Sequence, residues 1–123
     1  MKNAELISIP ADAPRFELHD KLHLTATECS FNRTPANVAV PFVHTHKQNE
    51  ELYLIVEGSG QFYLDGEIIE IKAGDAVRVD PPCERCLKAG PEGIAYYCIQ
   101  AKAGSLEQFT MTDAAVPATK AFN

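Results

Sequence analysis

Short stretches of alternating hydrophobic and polar residues run along most of this chain, and they predict strands rather than helices. Leu22, Leu24 and Ala26 alternate with polar neighbours, which is typical of a half-buried strand. A dense apolar run, ELYLIV, predicts a buried strand over residues 51–56. Similar apolar stretches predict further strands over residues 61–64, 67–71, 76–79 and 94–101.

Turn-forming residues separate the predicted strands. Asp65-Gly66 lies between two of them, and an Asp-Gly pair in that position indicates a tight hairpin. Pro41 interrupts the apolar stretch 38–43, so an edge strand or a bulged strand is expected there. Strands and helices do not alternate, which argues against a parallel sheet. The pattern favours an all-β sandwich or barrel.

The two ends of the chain are expected to lie outside the barrel. Residues 4–9 include the apolar stretch Leu6–Ile9 and predict an N-terminal strand. Ser105 and Gln108 have the spacing of a helix capping box, which predicts at most a short C-terminal helix. We therefore expect a single domain over residues 1–123, with the barrel at about 15–101 and a helix and tail at 105–123.

Composition limits the kinds of partner. Apolar residues make up 46 % of the 123 residues, enough for a sizeable core. The net charge of -6 argues against nucleic acid and anionic membranes, which bind basic patches. The N-terminus has no signal-peptide core, and no apolar run is long enough to span a membrane. We expect a cytoplasmic protein with four reduced cysteines: Cys29, Cys83, Cys86 and Cys98.

Two histidines and a carboxylate are the clearest candidates for chemistry. His44 and His46 are two residues apart, so in an extended segment their imidazoles point to the same face. Glu51 follows five residues later, and a short turn can bring it back beside them. Two imidazoles and a carboxylate form a divalent metal site with open positions. Glu50 is a competing carboxylate, but Glu51 shares its face with Tyr53.

Two stretches of the chain resemble the sequence motifs of the cupin superfamily. His44-Thr45-His46, four residues, Glu51, six residues and Gly58 resemble the first motif. Gly74-Asp75, a short apolar run and Pro82 resemble the start of the second motif. The resemblance covers about residues 38–100. The stretches HTHKQNEELY and ERC are similar to a group of small single-domain bacterial cupins of the cupin 2 type, whose activity is unassigned.

The resemblance implies a double-stranded β-helix, a jelly-roll barrel with a metal at one mouth. It implies that His44, His46 and Glu51 bind a divalent metal, for which zinc, iron, manganese and nickel are candidates. In the family a histidine of the second motif supplies a fourth ligand. The corresponding region here, PPCERCLKAG, contains no histidine, and Cys86 takes that place when Gly74 and Pro82 are aligned.

Cys86 therefore has three interpretations. A thiolate ligand would shift metal preference toward zinc. A reactive thiol would meet substrate or oxidant beside the metal. A small buried hydrophobic residue would only line the barrel. Cys83 and Cys86 also have dithiol spacing, but they follow Pro81-Pro82 instead of opening a helix, which argues against a redox centre.

Two further residues are candidates for binding a substrate. An inward-facing Arg85 could hold a substrate carboxylate with two parallel hydrogen bonds, and Arg78 offers the same chemistry one strand earlier. Tyr53 is the aromatic residue that strand parity places beside the metal ligands. Either Tyr53 or Arg85 could orient a substrate or move a proton.

Three functions agree with these residues. The first is a metal-dependent cupin that binds a small polar molecule at the barrel mouth, as an isomerase, lyase or dioxygenase. The second is a sensor or carrier that binds such a molecule without converting it. The third is an interaction protein with a vestigial metal site. A homodimer is expected in each case, because an edge strand of a jelly roll suits symmetric pairing.

Overall fold

The computed structural model describes residues 1–122 and contains six strands. The strands are β1 (Arg15–Glu17), β2 (Glu28–Thr34), β3 (Asn49–Leu64), β4 (Glu67–Lys72), β5 (Ala76–Val79) and β6 (Arg85–Lys102). One short helix, α1 (His19–Leu22), links β1 to β2, and a 3₁₀ turn covers Thr110–Thr112. No helix among the described residues is long and apolar enough to span a bilayer.

All six strands belong to one antiparallel sheet that closes into a barrel. The order is β1-β2-β6-β3-β4, and β5 also pairs with β3. The first half of β3 pairs with β5 and with the end of β6, whereas its second half pairs with β4 and with the start of β6. This arrangement confirms the all-β double-stranded β-helix.

The two long strands can bend because glycines lie where they come closest. Pairing between β3 and β6 shifts register between Ile55 and Glu57 and again between Gly58 and Gly60. Gly58 has φ +73°, and a Cβ built on it would collide with the carbonyl oxygen of Gly93. Only glycine satisfies both conditions at Gly58, so this position is required by the bend.

The hydrophobic core fills the barrel beneath one mouth. Its most buried members are Phe62, Val79 and Leu87, which are at most 2 % exposed. The same cluster includes Tyr53 and Cys98, whose other sides line the cavity described below. The core therefore supports the floor of that cavity directly.

The predicted strands of the barrel are mostly confirmed. The strand over 76–79 has the predicted limits, and the stretches 51–56 and 94–101 lie within β3 and β6. The hairpin at Asp65-Gly66 is confirmed, and both residues have positive φ, 48° and 91°. Positive φ at both central positions is the signature of the turn that an Asp-Gly pair favours.

Three of the predicted strands are absent, because their residues do not pair continuously with a neighbouring strand. Residues 4–9 form no strand, and Leu6 is 78 % exposed. Residues 22–27 hold the end of α1 and a bend instead of a strand. The stretch 38–43 makes only an isolated bridge, between Ala39 and Lys88. Alternation identifies a face that can be buried, but it does not supply the neighbouring strand.

The predicted C-terminal helix does not begin at Ser105. Its expected cap, Ser105, instead donates a hydrogen bond from its hydroxyl to the Lys102 carbonyl, 2.6 Å away. Between Ser105 and Phe122, only the three-residue turn Thr110–Thr112 is helical. Leu106 is 74 % exposed, so no packing supports a helix there.

We predict that Gly58→Ala lowers the free energy of unfolding by about 3 kcal/mol, because strain at positive φ adds to overlap with the Gly93 carbonyl. Gly104→Ala is the matched control, since Gly104 has φ +75° with no atom within 4 Å of its added Cβ. It should lose only about 1–2 kcal/mol. Urea denaturation measures both, and equal losses would contradict the close approach of β3 and β6.

Candidate metal centre

A cavity of about 440 Å³ opens at the mouth of the barrel. Side chains from the inner faces of β2, β3 and β6 line it, together with the segment 40–46 and the start of β1. Its lining mixes aromatic and aliphatic side chains with a few polar groups, which is the usual composition of a small-molecule site. All candidate site residues named above except Glu50, Arg78 and Cys83 lie on this cavity.

Backbone hydrogen bonds place the two histidines on the cavity wall. His44 and Arg85 exchange backbone hydrogen bonds of 3.2 Å and 3.1 Å. The His46 amide donates to the Pro81 carbonyl at 2.9 Å. The two rings lie edge to face with centroids 5.1 Å apart. The segment is therefore held against the start of β6, and both imidazoles reach the same cavity as predicted.

Glu51 is the carboxylate that joins the histidines. It lies at the start of β3 on the inner face and is 3 % exposed. One ligand atom from each of His44, His46 and Glu51 lies within 4.8 Å of the other two. Glu50 points to the opposite face, as strand alternation requires.

The Glu51 carboxylate receives donors on both oxygens. Tyr53 donates its hydroxyl to Oε1 at 2.7 Å, and Arg85 donates from Nη1 to the same oxygen at 3.1 Å. The Cys98 thiol donates to Oε2 at 3.2 Å, and Nε2 of His46 lies 3.1 Å from that oxygen. A carboxylate offers about four lone-pair positions, so these contacts nearly saturate it.

These contacts keep Glu51 ionised. Burial acts to raise the pKa of Glu51, but hydrogen bonds from Tyr53 and Cys98 and the charges of His46 and Arg85 lower it overall. Burial raises the pKa of Cys98 and that of Tyr53, and the nearby Glu51 charge adds to both shifts. The thiol and the phenol therefore remain protonated at neutral pH and act as donors to the carboxylate.

His44 is held neutral, as a metal ligand must be. Burial lowers its pKa, the charge of Glu51 opposes this effect, and the net pKa lies below the ordinary value of 6.5. Its Nδ1 is buried without a hydrogen-bond partner among residues 1–122.

Arg85 forms hydrogen bonds within the protein, whereas the sequence analysis expected it to bind a substrate carboxylate. It is 1 % exposed, and its Nη2 donates to the Asp80 carbonyl at 2.7 Å while Nη1 binds Glu51. Tyr53 likewise directs its hydroxyl to Glu51. Both residues line the cavity, but each has its polar end committed to the protein. Arg78 is exposed and pairs with Asp80 at 3.1 Å, outside the cavity.

The structure does not bring Cys86 into the group of metal-ligand atoms among the described residues. Its thiol donates to the Val40 carbonyl at 3.2 Å. Along β6, Arg85 and Leu87 are buried while Cys86 between them is only half-buried, so alternation turns Arg85 toward Glu51 instead. Cys83 donates to the Glu84 carbonyl, and all four cysteines are free thiols.

Several polar residues of the cavity wall carry no signal in the local sequence, among them Arg15, Ser30, Asn32 and Cys98. Cys98 faces Glu51 because β6 pairs Tyr53 with Cys98, and that register joins residues 45 positions apart. Arg15 and Asn32 are paired in the same way by β1 and β2. No local motif marks any of these residues, so only the strand pairing could have identified them.

The donor set fits a divalent cation. Two imidazoles and an ionised carboxylate converge within 4.8 Å, and His44 is neutral. The protonated Cys98 thiol and the Arg85 guanidinium support the carboxylate from behind, as groups that orient a ligand do. His44, His46 and Glu51 would hold the cation, with positions left open toward the cavity.

A jelly-roll barrel with a histidine and carboxylate cluster at one mouth defines the class of protein. The cupin domain family model matches residues 34–97, and the chain belongs to this family. A cupin protein from Bacteroides fragilis is 52 % identical and has a TM-score of 0.91, over 95 % of this chain and 99 % of that chain.

Two further proteins are similar to this chain at lower identity or over a shorter stretch. A cupin 2 conserved barrel domain protein from Salinispora arenicola has a TM-score of 0.65 at 18 % identity, over 80 % of this chain and 91 % of that chain. An uncharacterized protein from Methanocaldococcus jannaschii is 44 % identical over 39 residues. That segment spans 32 % of this chain and 31 % of that protein.

We predict that Arg85→Met lowers the free energy of unfolding by about 3–5 kcal/mol at pH 7, because Glu51 is left as a buried charge without its cation. Arg78→Met is the control. Arg78 forms an exposed ion pair with Asp80, so its loss should change stability by less than about 1 kcal/mol. Urea denaturation of both variants measures the difference.

The sign of the pH dependence follows from the lowered pKa of Glu51. Stabilisation by its ionised form is present above the ordinary pKa of 4.5 and is lost as pH falls through the lower folded pKa. In Arg85→Met the carboxyl protonates at higher pH. The difference in the free energy of unfolding between wild type and variant should therefore be largest at neutral pH and should decrease as the solution is acidified below pH 4.5. A difference that does not change with pH would contradict the ion pair.

Proposed function

We propose that this protein is a metal-binding cupin that binds a small polar molecule in the cavity beside the metal. The supporting observation is that ligand atoms of His44, His46 and Glu51 lie within 4.8 Å of one another on the wall of a 440 Å³ cavity. When bound, the cation would act as a Lewis acid on a carbonyl or carboxylate of that molecule.

The donor set of the proposed site consists of nitrogen and oxygen atoms. No cysteine thiolate belongs to the group among the described residues, and the nearby Cys98 thiol is protonated. Nitrogen and oxygen ligands accept zinc, iron, manganese and nickel, so the protein's preference depends on supply and on the open positions.

Metal-dependent isomerase, lyase or dioxygenase chemistry suits such a site, and the state of its side chains restricts how they take part. The phenol of Tyr53 and the thiol of Cys98 are protonated donors to Glu51, and burial raises the pKa of Tyr96 to about 12. Tyr53 and Cys98 hold the ligand carboxylate, and none of the three groups abstracts a proton at neutral pH. A reaction here would rely on polarisation of the bound molecule.

A sensor or carrier is the second candidate, and one observation favours it. Arg85 already neutralises Glu51 from inside the barrel, which lowers the electrostatic attraction of the site for a cation. A site of reduced charge suits reversible binding. Stoichiometric metal after purification, with a metal-dependent activity, would favour the enzyme. Ligand binding without turnover would favour the carrier.

We predict that His46→Ala and Glu51→Gln each weaken metal binding by more than about 100-fold, beyond the usual effect of losing a supporting group. His23→Ala is the control, because His23 is an exposed histidine paired with Glu5 at 2.8 Å, away from the cavity. Protein that has been freed of metal with a chelator is titrated with zinc, iron, manganese and nickel in turn. Elemental analysis then measures the bound metal. Equal occupancy in all variants would refute the site.

We further propose that the protein is a homodimer through the outer face of β3 and β6. Leu52 and Val56 are 37 % and 44 % exposed on the face of β3 that points away from the cavity. Leu54 lies between them on the same face, and Ile99 of β6 is paired with Leu52. An outward sheet face is normally polar, so an apolar one suits a second copy of the same face.

We predict that Leu52→Lys converts the dimer to a monomer without altering metal content. Leu106→Lys should leave the dimer intact, because Leu106 is also an exposed leucine but lies beyond the barrel. Light scattering coupled to gel filtration measures the mass of each variant. A wild-type protein that elutes as a monomer would refute the proposed interface and leave the metal site unaffected.

A further inference from the structure

Arg15 lies on the wall of the same cavity as the metal-ligand cluster, and the metal site does not use it. Its Nη1 donates to Oδ1 of Asn32 at 2.7 Å, and its Nε donates to Glu17 at 3.0 Å. Two partners on neighbouring strands therefore hold the guanidinium in one plane. The side chain remains 57 % exposed, so a ligand can reach it.

Buried polar side chains support this arginine from behind. Asn32 and Ser30 are 6 % and 4 % exposed and lie on the inner face of β2, where a barrel usually places apolar residues. The Asn32 amide donates from Nδ2 to the Ser30 hydroxyl at 2.9 Å and leaves its Oδ1 for Arg15. Burial of polar groups is unfavourable unless they are hydrogen-bonded, and this chain satisfies them by fixing Arg15.

The guanidinium keeps a free edge. Nε and Nη1 have acceptors, but Nη2 has no hydrogen-bond partner among residues 1–122. Arg85, the other arginine of the cavity, differs because its Nη1 and Nη2 both bind protein oxygens and its unpartnered Nε is buried. Arg15 is therefore the cation on this wall that remains available to a bound molecule.

We propose that Arg15 is an anion subsite of the cavity and that the ligand is a small organic acid. One carboxylate of the acid pairs with Arg15, and a second oxygen donor, such as a hydroxyl, oxo or carboxylate oxygen, faces the metal site. The second contact rests on the proposed metal-dependent function, whereas the first does not.

The surroundings favour a carboxylate over a phosphate. A single planar guanidinium matches the two oxygens of a carboxylate. A phosphate dianion is usually held by several cations or by a helix N-terminus, whereas Glu17 and the buried Glu51 place negative charge near this wall. A cavity of about 440 Å³ is at the low end of small-molecule sites, which suits an acid of a few carbons.

The test measures binding of named acids by calorimetry to zinc-loaded and to metal-free protein. Succinate, malate and 2-oxoglutarate are the probes, the diamide of succinate is the neutral match, and glycerol 3-phosphate represents phosphates. At least one acid should bind with a Kd of about 1 mM or tighter, and about tenfold more tightly than the diamide, because a charged hydrogen bond is lost in the neutral compound.

Variants then assign the binding to the guanidinium. Arg15→Gln should weaken binding of the acid by about tenfold or more, and Arg15→Lys should weaken it less, because the charge is kept and the planar fork is lost. Arg78→Gln should change nothing, because Arg78 is an exposed arginine outside the cavity. Zinc content should be the same in all these proteins.

Each alternative result has a distinct meaning. Binding of the acid that is unchanged in Arg15→Gln overturns the subsite, as does the absence of binding by every acid in both metal states. Tighter, Arg15-dependent binding of glycerol 3-phosphate overturns the carboxylate class. A protein that takes up no zinc but still binds an acid through Arg15 refutes the proposed metal function and supports the subsite.

Discussion

The site depends on one buried carboxylate that is kept ionised by contacts from three parts of the chain. Tyr53 comes from the same strand, Arg85 and Cys98 from opposite ends of β6, and His46 from the segment before β3. A carboxylate that is 3 % exposed is unfavourable alone, so these contacts are a condition of folding as well as of function. They explain why Glu51 can remain ionised at the top of a hydrophobic core.

The pairing of the two long strands, β3 and β6, brings these contacts to Glu51. β3 and β6 pair along most of their length, and their ends return to the same mouth because both strands bend near Gly58 and Gly93. Arg85 at the start of β6 and Cys98 near its end are thereby brought to one carboxylate, although they are 13 positions apart. The core beneath them, centred on Phe62 and Leu87, prevents the site from collapsing inward.

Arg85 sets the electrostatic balance of the metal site. The resemblance leads one to expect a histidine of the second motif as a neutral fourth ligand. The chain instead places the positive charge of Arg85 against the Glu51 carboxylate. The carboxylate is therefore satisfied before any cation arrives, and a cation must compete with an internal partner. On the proposed function, this balance favours ligands that carry their own negative charge, in agreement with the free edge of Arg15 on the same cavity wall.

The sequence alone determined the features that depend on spacing within a short stretch. The two histidines, Glu51 on the face of Tyr53 and the Asp65-Gly66 hairpin follow from strand alternation and turn chemistry, and the motif spacing indicated the barrel. Tertiary structure decided what depends on partners far along the chain. The register of β6 places Arg85 and Cys98, and not Cys86, against Glu51. The pairing of β1 with β2 brings Arg15 to the cavity, and residues 4–9 pair with no strand. Local alternation specifies which side chains share a face, whereas register between distant strands specifies which faces meet.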